Sequence, residues 1–223
     1  MSIKENLETI KEQLGNNNVK IIAVTKYATV QQVIEAYNLG IRDFGENYVQ
    51  DALEKISRII QEYSVKDINW HFLGRLQKNK VKNVVGKFLL IHSIDSVELA
   101  ELINKQASKT EKIQDILLQI NTSKEETKSG FYKNDIVSSF EKISSLKNIR
   151  IKGLMTMAPR TEYKEKINEC FTELSNLKKE INKIFSYELK ELSMGMTNDY
   201  NHAVECGATM IRIGKGLFKE GRG

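Results

Sequence analysis

The feature that most constrains this chain is an alternation repeated along its length. A short apolar run, a turn and an amphipathic segment follow one another eight times. The runs are residues 19–25, 42–44, 68–73, 88–92, 115–120, 149–155, 188–192 and 209–213. Several are short and β-branched, as strands buried on both faces of a parallel sheet are. Between them the period becomes helical. Val30, Val33, Ile34 and Tyr37 share one face, opened by a Thr29-x-x-Gln32 capping box and closed by Gly40. Ser96 or Asp95 caps a second helix with Leu99, Leu102 and Ile103 on its inner face. A third carries Ile167, Cys170, Phe171, Leu174, Leu177 and Ile181, a stripe that reads as core packing.

Strands alternating with helices admit two α/β architectures, an open doubly wound sheet or a (β/α)8 barrel. The open sheet calls for a glycine fingerprint after its first strand, and Val24-Thr25-Lys26-Tyr27 has none. The eightfold count favours the TIM-type barrel, preceded by an N-terminal helix. No linker or composition break divides residues 1–223, so a single domain is expected.

In such a barrel the chemistry sits at the C-terminal rim, on residues just after each strand. Lys26 stands after the first run, and 44–48 (Phe-Gly-Glu-Asn-Tyr) after the second. Trp70 to Gln77 gathers polar groups and a glycine at the end of the third. The seventh run leads into Ser193-Met194-Gly195-Met196-Thr197-Asn198-Asp199, and the eighth into Arg212-Ile213-Gly214-Lys215-Gly216. Backbone amides in such glycine turns cradle anions, and barrels use the seventh and eighth loops for phosphate. Closure pairs the eighth strand with the first, which puts Lys26, Arg212 and Gly214 in one sector. An amine, a phosphate cradle and an arginine together suit pyridoxal 5′-phosphate, which offers an aldehyde, a phosphate and a ring nitrogen.

Charge argues against other classes. The net charge is +5, from 34 Lys and Arg against 29 Asp and Glu. Basic residues alternate with acidic ones, as in Lys124-Glu125-Glu126-Thr127-Lys128, so a nucleic-acid face is not expected. No apolar run reaches the roughly 18 residues that span a bilayer, and residues 1–20 lack a signal-peptide apolar core. Two cysteines, Cys170 and Cys206, are too few for a disulfide framework, and a cytoplasmic location is expected. His71, His92 and His202 show no metal-ligand spacing with them.

Several segments carry a family resemblance: 23–26 (Ala-Val-Thr-Lys), 42–50 (Arg-Asp-Phe-Gly-Glu-Asn-Tyr-Val-Gln) and 70–80, beginning Trp-His-Phe-Leu-Gly-Arg. Further on come 91–95, 153–157, 192–196 (Leu-Ser-Met-Gly-Met) and 212–214. From about residue 19 to 218 the chain resembles the pyridoxal 5′-phosphate homeostasis protein family, single barrels similar to the N-terminal domain of alanine racemase. The resemblance implies that Lys26 holds the cofactor as an internal aldimine and that Arg212 faces the pyridine nitrogen. Thr197 would bond the phosphate through its hydroxyl, and Gly214 and Lys215 through backbone amides. Asn47, His71 and Met194 complete the expected cofactor-binding set. Thr197 stands where the family usually has Ser, which keeps the hydroxyl. Lys215 stands where a small hydroxyl residue is common, so only its backbone is expected to contribute. The tail, 218–222, is more charged than usual.

An arginine at the ring nitrogen cannot accept a proton from it, which leaves the ring a poor electron sink. Racemases with that arginine use a tyrosine base from a second domain, and this chain stops at Gly223. The expectation is therefore a carrier that buffers and delivers the cofactor in vitamin B6 homeostasis, with no catalytic cycle. A low-activity racemase or lyase is the alternative, with His71 or Tyr48 as the second base. Lys128, after the fifth run, is a candidate for secondary cofactor contact. Transient contact with apoenzymes and a monomeric state are also expected.

Overall fold

The computed structural model describes residues 2–123, 125 and 128–218. The charged tail beyond Phe218 and most of the 124–127 charge run lie outside them. The eight runs form eight parallel strands in a closed barrel whose neighbours follow sequence order. They are β1 (Lys20–Val24), β2 (Asp43–Glu46), β3 (Asn69–Phe72), β4 (Leu90–Ile94), β5 (Gln114–Gln119), β6 (Ile149–Met155), β7 (Glu191–Met196) and β8 (Met210–Ile213). Closure runs from Lys20↔Met210 to Ala23↔Ile213.

The helices are α1 (Ile3–Leu14), α2 (Val30–Asn38), α3 (Val49–Tyr63), α4 (Val81–Val84) and α5 (Val97–Lys109). Then come α6 (Lys133–Ser144), α7 (Lys164–Phe185), α8 (Tyr200–Glu205) and α9 (Lys215–Phe218). Their caps follow local chemistry. Ser2 and Glu5 close a capping box on α1, and Thr29 and Gln32 close the expected one on α2. Ser96, not Asp95, caps α5. The α7 stripe from Ile167 to Ile181 is wholly buried, as expected of core. Among the described residues no helix is long and apolar enough to cross a membrane.

Two apolar assemblies hold the barrel. Ala23, Phe44, Phe72 and Ile116 pack with Val33, Ala52, Ile103 and Phe171 of the helices. Ile22, Leu90, Leu117, Met155 and Met210 form a second assembly made only of strand residues, which fills the interior. Ile22 and Ala23 are adjacent yet belong to different assemblies, because strand side chains alternate.

Strands β2, β4 and β7 run further than their apolar runs. β2 extends through Gly45 and Glu46, which pair with His71 and Phe72. Trp70, His71 and Phe72 therefore lie inside β3 and not beyond it. β7 starts later than residue 188 and takes in Ser193 to Met196. Its polar and glycine positions read as a turn in sequence, but ladder pairing to β6 and β8 extends the strand through them.

Candidate functional site

The C-terminal mouth is organised where β8 meets β1. Arg212 pairs in register with Ile22, and Gly214 lies against Val24, where an added Cβ would sit 3.5 Å from the Val24 carbonyl oxygen. Two residues past Val24 stands Lys26, half-buried, its Nζ 5.0 Å from the Tyr27 ring centroid. The expected sector of Lys26, Arg212 and Gly214 is thus assembled by closure of the sheet.

Behind Lys26 the ends of β1 and β2 are tied together. Glu46, fully buried, accepts bonds on Oε1 from the Thr25 hydroxyl at 2.7 Å and from Lys55 Nζ at 2.7 Å. Lys55 also donates to the Thr25 carbonyl at 2.5 Å. Helix α3 thereby fixes the residue preceding Lys26, a role that sequence reasoning missed. Glu46 Oε2 and Asn47 Oδ1 are buried with no hydrogen-bond partner in the structure. Buried polar atoms of this kind normally have partners, so they mark an unfilled polar requirement beside the mouth.

The expected anion cradle falls on the loops after β7 and β8. Thr197 Oγ1 accepts a bond from the Gly216 amide at 3.2 Å, which leaves the hydroxyl hydrogen free to donate elsewhere. Gly216 is required there, since a Cβ would stand 2.7 Å from Thr197 Cγ2. Gly195 turns the chain with φ +89°, and a side chain would meet Ala203 at 2.6 Å. Asp199 then closes the turn by accepting from the Met196 amide at 2.5 Å. Lys215 opens α9 with its side chain in solvent, in keeping with a backbone contribution only.

Arg212 is almost entirely buried. Its guanidinium donates to Ser193 Oγ at 2.7 Å and to the Thr156 carbonyl at 2.8 Å. Burial lowers its pKa to about 10, against the opposing charge of Asp199, so it stays cationic at neutral pH. Of five guanidinium N–H groups two are committed in these bonds, and the others can face a ligand.

Not every expected residue joins the mouth. His71 is fully buried in β3, bonded to Asp43 and His92 inside the barrel. Met194 is also fully buried and belongs to the large core assembly shared with the helices. Tyr48 is half-exposed beside Tyr27, whose hydrogen bond raises the Tyr48 pKa. Lys128 Nζ donates to the Ala158 carbonyl at 3.1 Å and pairs with Glu125 at 3.1 Å, bridging the loops after β5 and β6. The partners Ser193 and Thr156 escaped sequence reasoning. The alternation of side chains along β7 was the available signal for Ser193.

These residues fit an anionic ring compound with a carbonyl. An amine, a hydroxyl and glycine amides, a fixed cation and an unpartnered amide oxygen thus lie at or just past the C-terminal ends of β1, β2, β7 and β8.

The alanine racemase N-terminal domain family matches residues 1–221. The pyridoxal phosphate homeostasis protein of Aquifex aeolicus is 40% identical over 206 residues, spanning 92% of this chain and 89% of that protein. Its namesake in Synechocystis is 42% identical over 201 residues, 90% of this chain and 91% of the other. The solved structure of PipY from Synechococcus elongatus with PLP bound aligns at TM-score 0.89 and 35% identity, covering 97% of this chain and all (100%) of that one. An alanine racemase of Clostridium difficile aligns at TM-score 0.80 and 15% identity, over 100% of this chain and 57% of the other, which shows a shared fold.

Proposed function

Because the chain belongs to the pyridoxal phosphate homeostasis protein family, we propose that it binds pyridoxal 5′-phosphate at the C-terminal mouth and serves vitamin B6 homeostasis as a carrier. The observation that carries this reading is the closure of β8 onto β1, which sets Arg212 and Gly214 beside the extension bearing Lys26. When bound, the cofactor supplies an aldehyde for a lysine amine and a ring that can act as an electron sink. Lys26 offers the amine, held in place by the Thr25–Glu46–Lys55 cluster. Thr197 donates its hydroxyl hydrogen to the phosphate while accepting from Gly216. Gly214 and Lys215 present backbone to the same dianion at the mouth of β8.

Arg212 would direct its remaining N–H groups at the ring nitrogen. It donates there and cannot take up a proton, so the nitrogen stays unprotonated and carbanion chemistry is poorly supported. The two residues expected as a second base for racemisation are not free to serve. The hydrogen bond from Tyr27 raises the Tyr48 pKa, and His71 has both ring nitrogens engaged in the interior. A carrier of this kind would store the cofactor and deliver it to apoenzymes by transient contact, with Lys128 as a secondary point of contact for the cofactor.

Borohydride reduction of the loaded protein, followed by peptide mapping, tests the assignment. The label is expected on Lys26, with at most a minor one on Lys128. Lys26→Ala is expected to lose the visible absorbance and the main label while keeping its far-ultraviolet dichroism. A principal label on any other lysine of the native protein overturns it.

A further inference from the structure

The barrel interior holds a polar thread among its apolar plug. Asp43 Oδ1 lies 2.9 Å from His71 Nε2, His71 Nδ1 lies 2.9 Å from His92 Nε2, and His92 Nδ1 lies 2.9 Å from Ser193 Oγ. Ser193 in turn accepts from Arg212 at 2.7 Å. The thread enters from the N-terminal ends of the strands, where Lys20 stands 3.6 Å from Asp43, and finishes at the guanidinium in the mouth. Both imidazoles and Ser193 are fully buried or nearly so. It crosses the barrel, because His92 and Ser193 are 101 residues apart on strands that are not neighbours.

Its two ends set its polarity. A guanidinium only donates and a carboxylate only accepts. With both imidazoles neutral, every proton between those ends is then assigned. Ser193 accepts from Arg212 and donates to His92 Nδ1. His92 donates through Nε2–H to His71 Nδ1, and His71 donates through Nε2–H to Asp43. All bonds run one way, from cation to anion, and bonds so aligned polarise and strengthen one another. Reversal of any one of them would set two donors or two acceptors face to face.

We infer that Asp43, His71, His92 and Ser193 form a positioning relay that locks the Arg212 guanidinium, so that the hold on the ring nitrogen is set partly from the opposite end of the barrel. None of the four is a catalytic residue. The relay rests on the proposed cofactor site for its purpose, but its proton arrangement and its grip on Arg212 are independent of any ligand. It also gives the buried histidine pair a function other than acid–base catalysis.

Nitrogen-15 NMR of the cofactor-free protein is the first measurement. Both imidazoles are expected neutral, with the proton on Nε2 and a bare Nδ1. A doubly protonated His71, or a proton on His92 Nδ1, overturns the relay. The second measurement is hydrogen exchange at the Arg212 guanidinium. Asp43→Ala leaves the Ser193–Arg212 contact in place but removes the distant end, and exchange is expected to quicken roughly tenfold or more as the lock loosens. His92→Gln keeps a donor towards His71 but loses the acceptor for Ser193, and is expected to do the same. His92→Asn keeps an acceptor near the Nδ1 position and is expected to fall between the wild type and His92→Gln. Thermal melts confirm that each variant is folded. Unchanged exchange in folded Asp43→Ala and His92→Gln overturns the inference.

Affinity for pyridoxal 5′-phosphate is the third measurement. It is expected to drop roughly tenfold in His92→Gln and several-fold in Asp43→Ala, the range of one lost bond to a charged group. Faster exchange with unaltered affinity would sink the link between relay and cofactor. Failure of the wild type to bind at Lys26 would count against the proposed function instead, and leaves the first two measurements to decide the grip on Arg212.

Discussion

Thr197 shows how much can depend on a single hydroxyl. Its oxygen already accepts from the Gly216 amide at 3.2 Å, and towards a phosphate dianion, which only accepts, it acts as a donor. Thr197→Ala deletes that donor and also leaves the Gly216 N–H without its acceptor. A hydrogen bond to a charged group contributes about 1.5–3 kcal/mol, so affinity for pyridoxal 5′-phosphate is expected to fall about 10- to 150-fold. Pyridoxal without the phosphate is expected to bind wild type and mutant alike. Titration followed by absorbance, with both ligands on both proteins, measures this. Equal loss for the two ligands would mean that Thr197 acts on the fold of the loop and not on the phosphate. Lys26 and Arg212 could be placed near the rim from the sequence because they stand at or just after apolar runs, whereas Thr197 was singled out by the family resemblance. The partners of Arg212 were not legible, since Ser193 and Thr156 reach it only through the curvature of the closed sheet.

At the scale of elements, eight short strands and the helices between them could be read from periodicity, and the capping box at Thr29 even located a helix start. Strand ends were harder. Trp70, His71 and Phe72 look like a polar rim in sequence but lie within β3, because a barrel interior admits polar side chains at alternate positions when they satisfy one another. That arrangement has a pH signature. Burial, together with the positive charges of Arg212 and Lys20, holds the His92 pKa well below the usual imidazole value. The folded state therefore binds fewer protons than the unfolded one below about pH 6.5. His92 contributes stability that is present above that pH and is lost as the pH falls towards its depressed folded value. The slope for one such group is about 1.4 kcal/mol per pH unit. Asp43 behaves in the same sense at lower pH. Burial pushes its pKa up, but the His71 bond and the Lys20 charge outweigh burial and hold it down. Its share is lost below about pH 4. Urea melts from pH 7.5 to 5 are expected to show stability falling with acid. His92→Gln is expected to start less stable at pH 7.5 and to show the shallower dependence. An equal slope in both proteins would place the titration elsewhere.

For the whole molecule, closure joins distant parts of the chain into one device. Sequence neighbours form the strands, but the mouth depends on β8 meeting β1, and α1 reinforces that seam. Asn6 on α1 donates to the Leu217 carbonyl of α9 at 3.0 Å, and Tyr200 on α8 bonds Gln13 of α1. In the proposed site the mouth would present the Lys26 amine, a phosphate cradle and the Arg212 cation, while the barrel buries the His71–His92 pair in mutual bonds. That division decides between carrier and catalyst. Racemisation needs proton transfer on both faces of a bound amino acid. Lys26 would serve one face, while Tyr48, beside Tyr27, has a raised pKa that keeps its hydroxyl protonated and so offers no ready base for the other. Arg212, if it faces the ring nitrogen as proposed, would in addition leave the ring without the proton that makes it an electron sink. The loaded protein, incubated with alanine in deuterium oxide, is therefore expected to exchange the α-proton no faster than free pyridoxal 5′-phosphate at equal concentration. Proton NMR follows the exchange, and chiral chromatography follows any racemisation. Exchange well above the free cofactor, abolished in Tyr48→Phe, would make this barrel a catalyst with Tyr48 as its second base. Exchange at the level of the free cofactor, with pyridoxal 5′-phosphate still transferable to an added apoenzyme, is the behaviour of a molecule that holds its cofactor without using it.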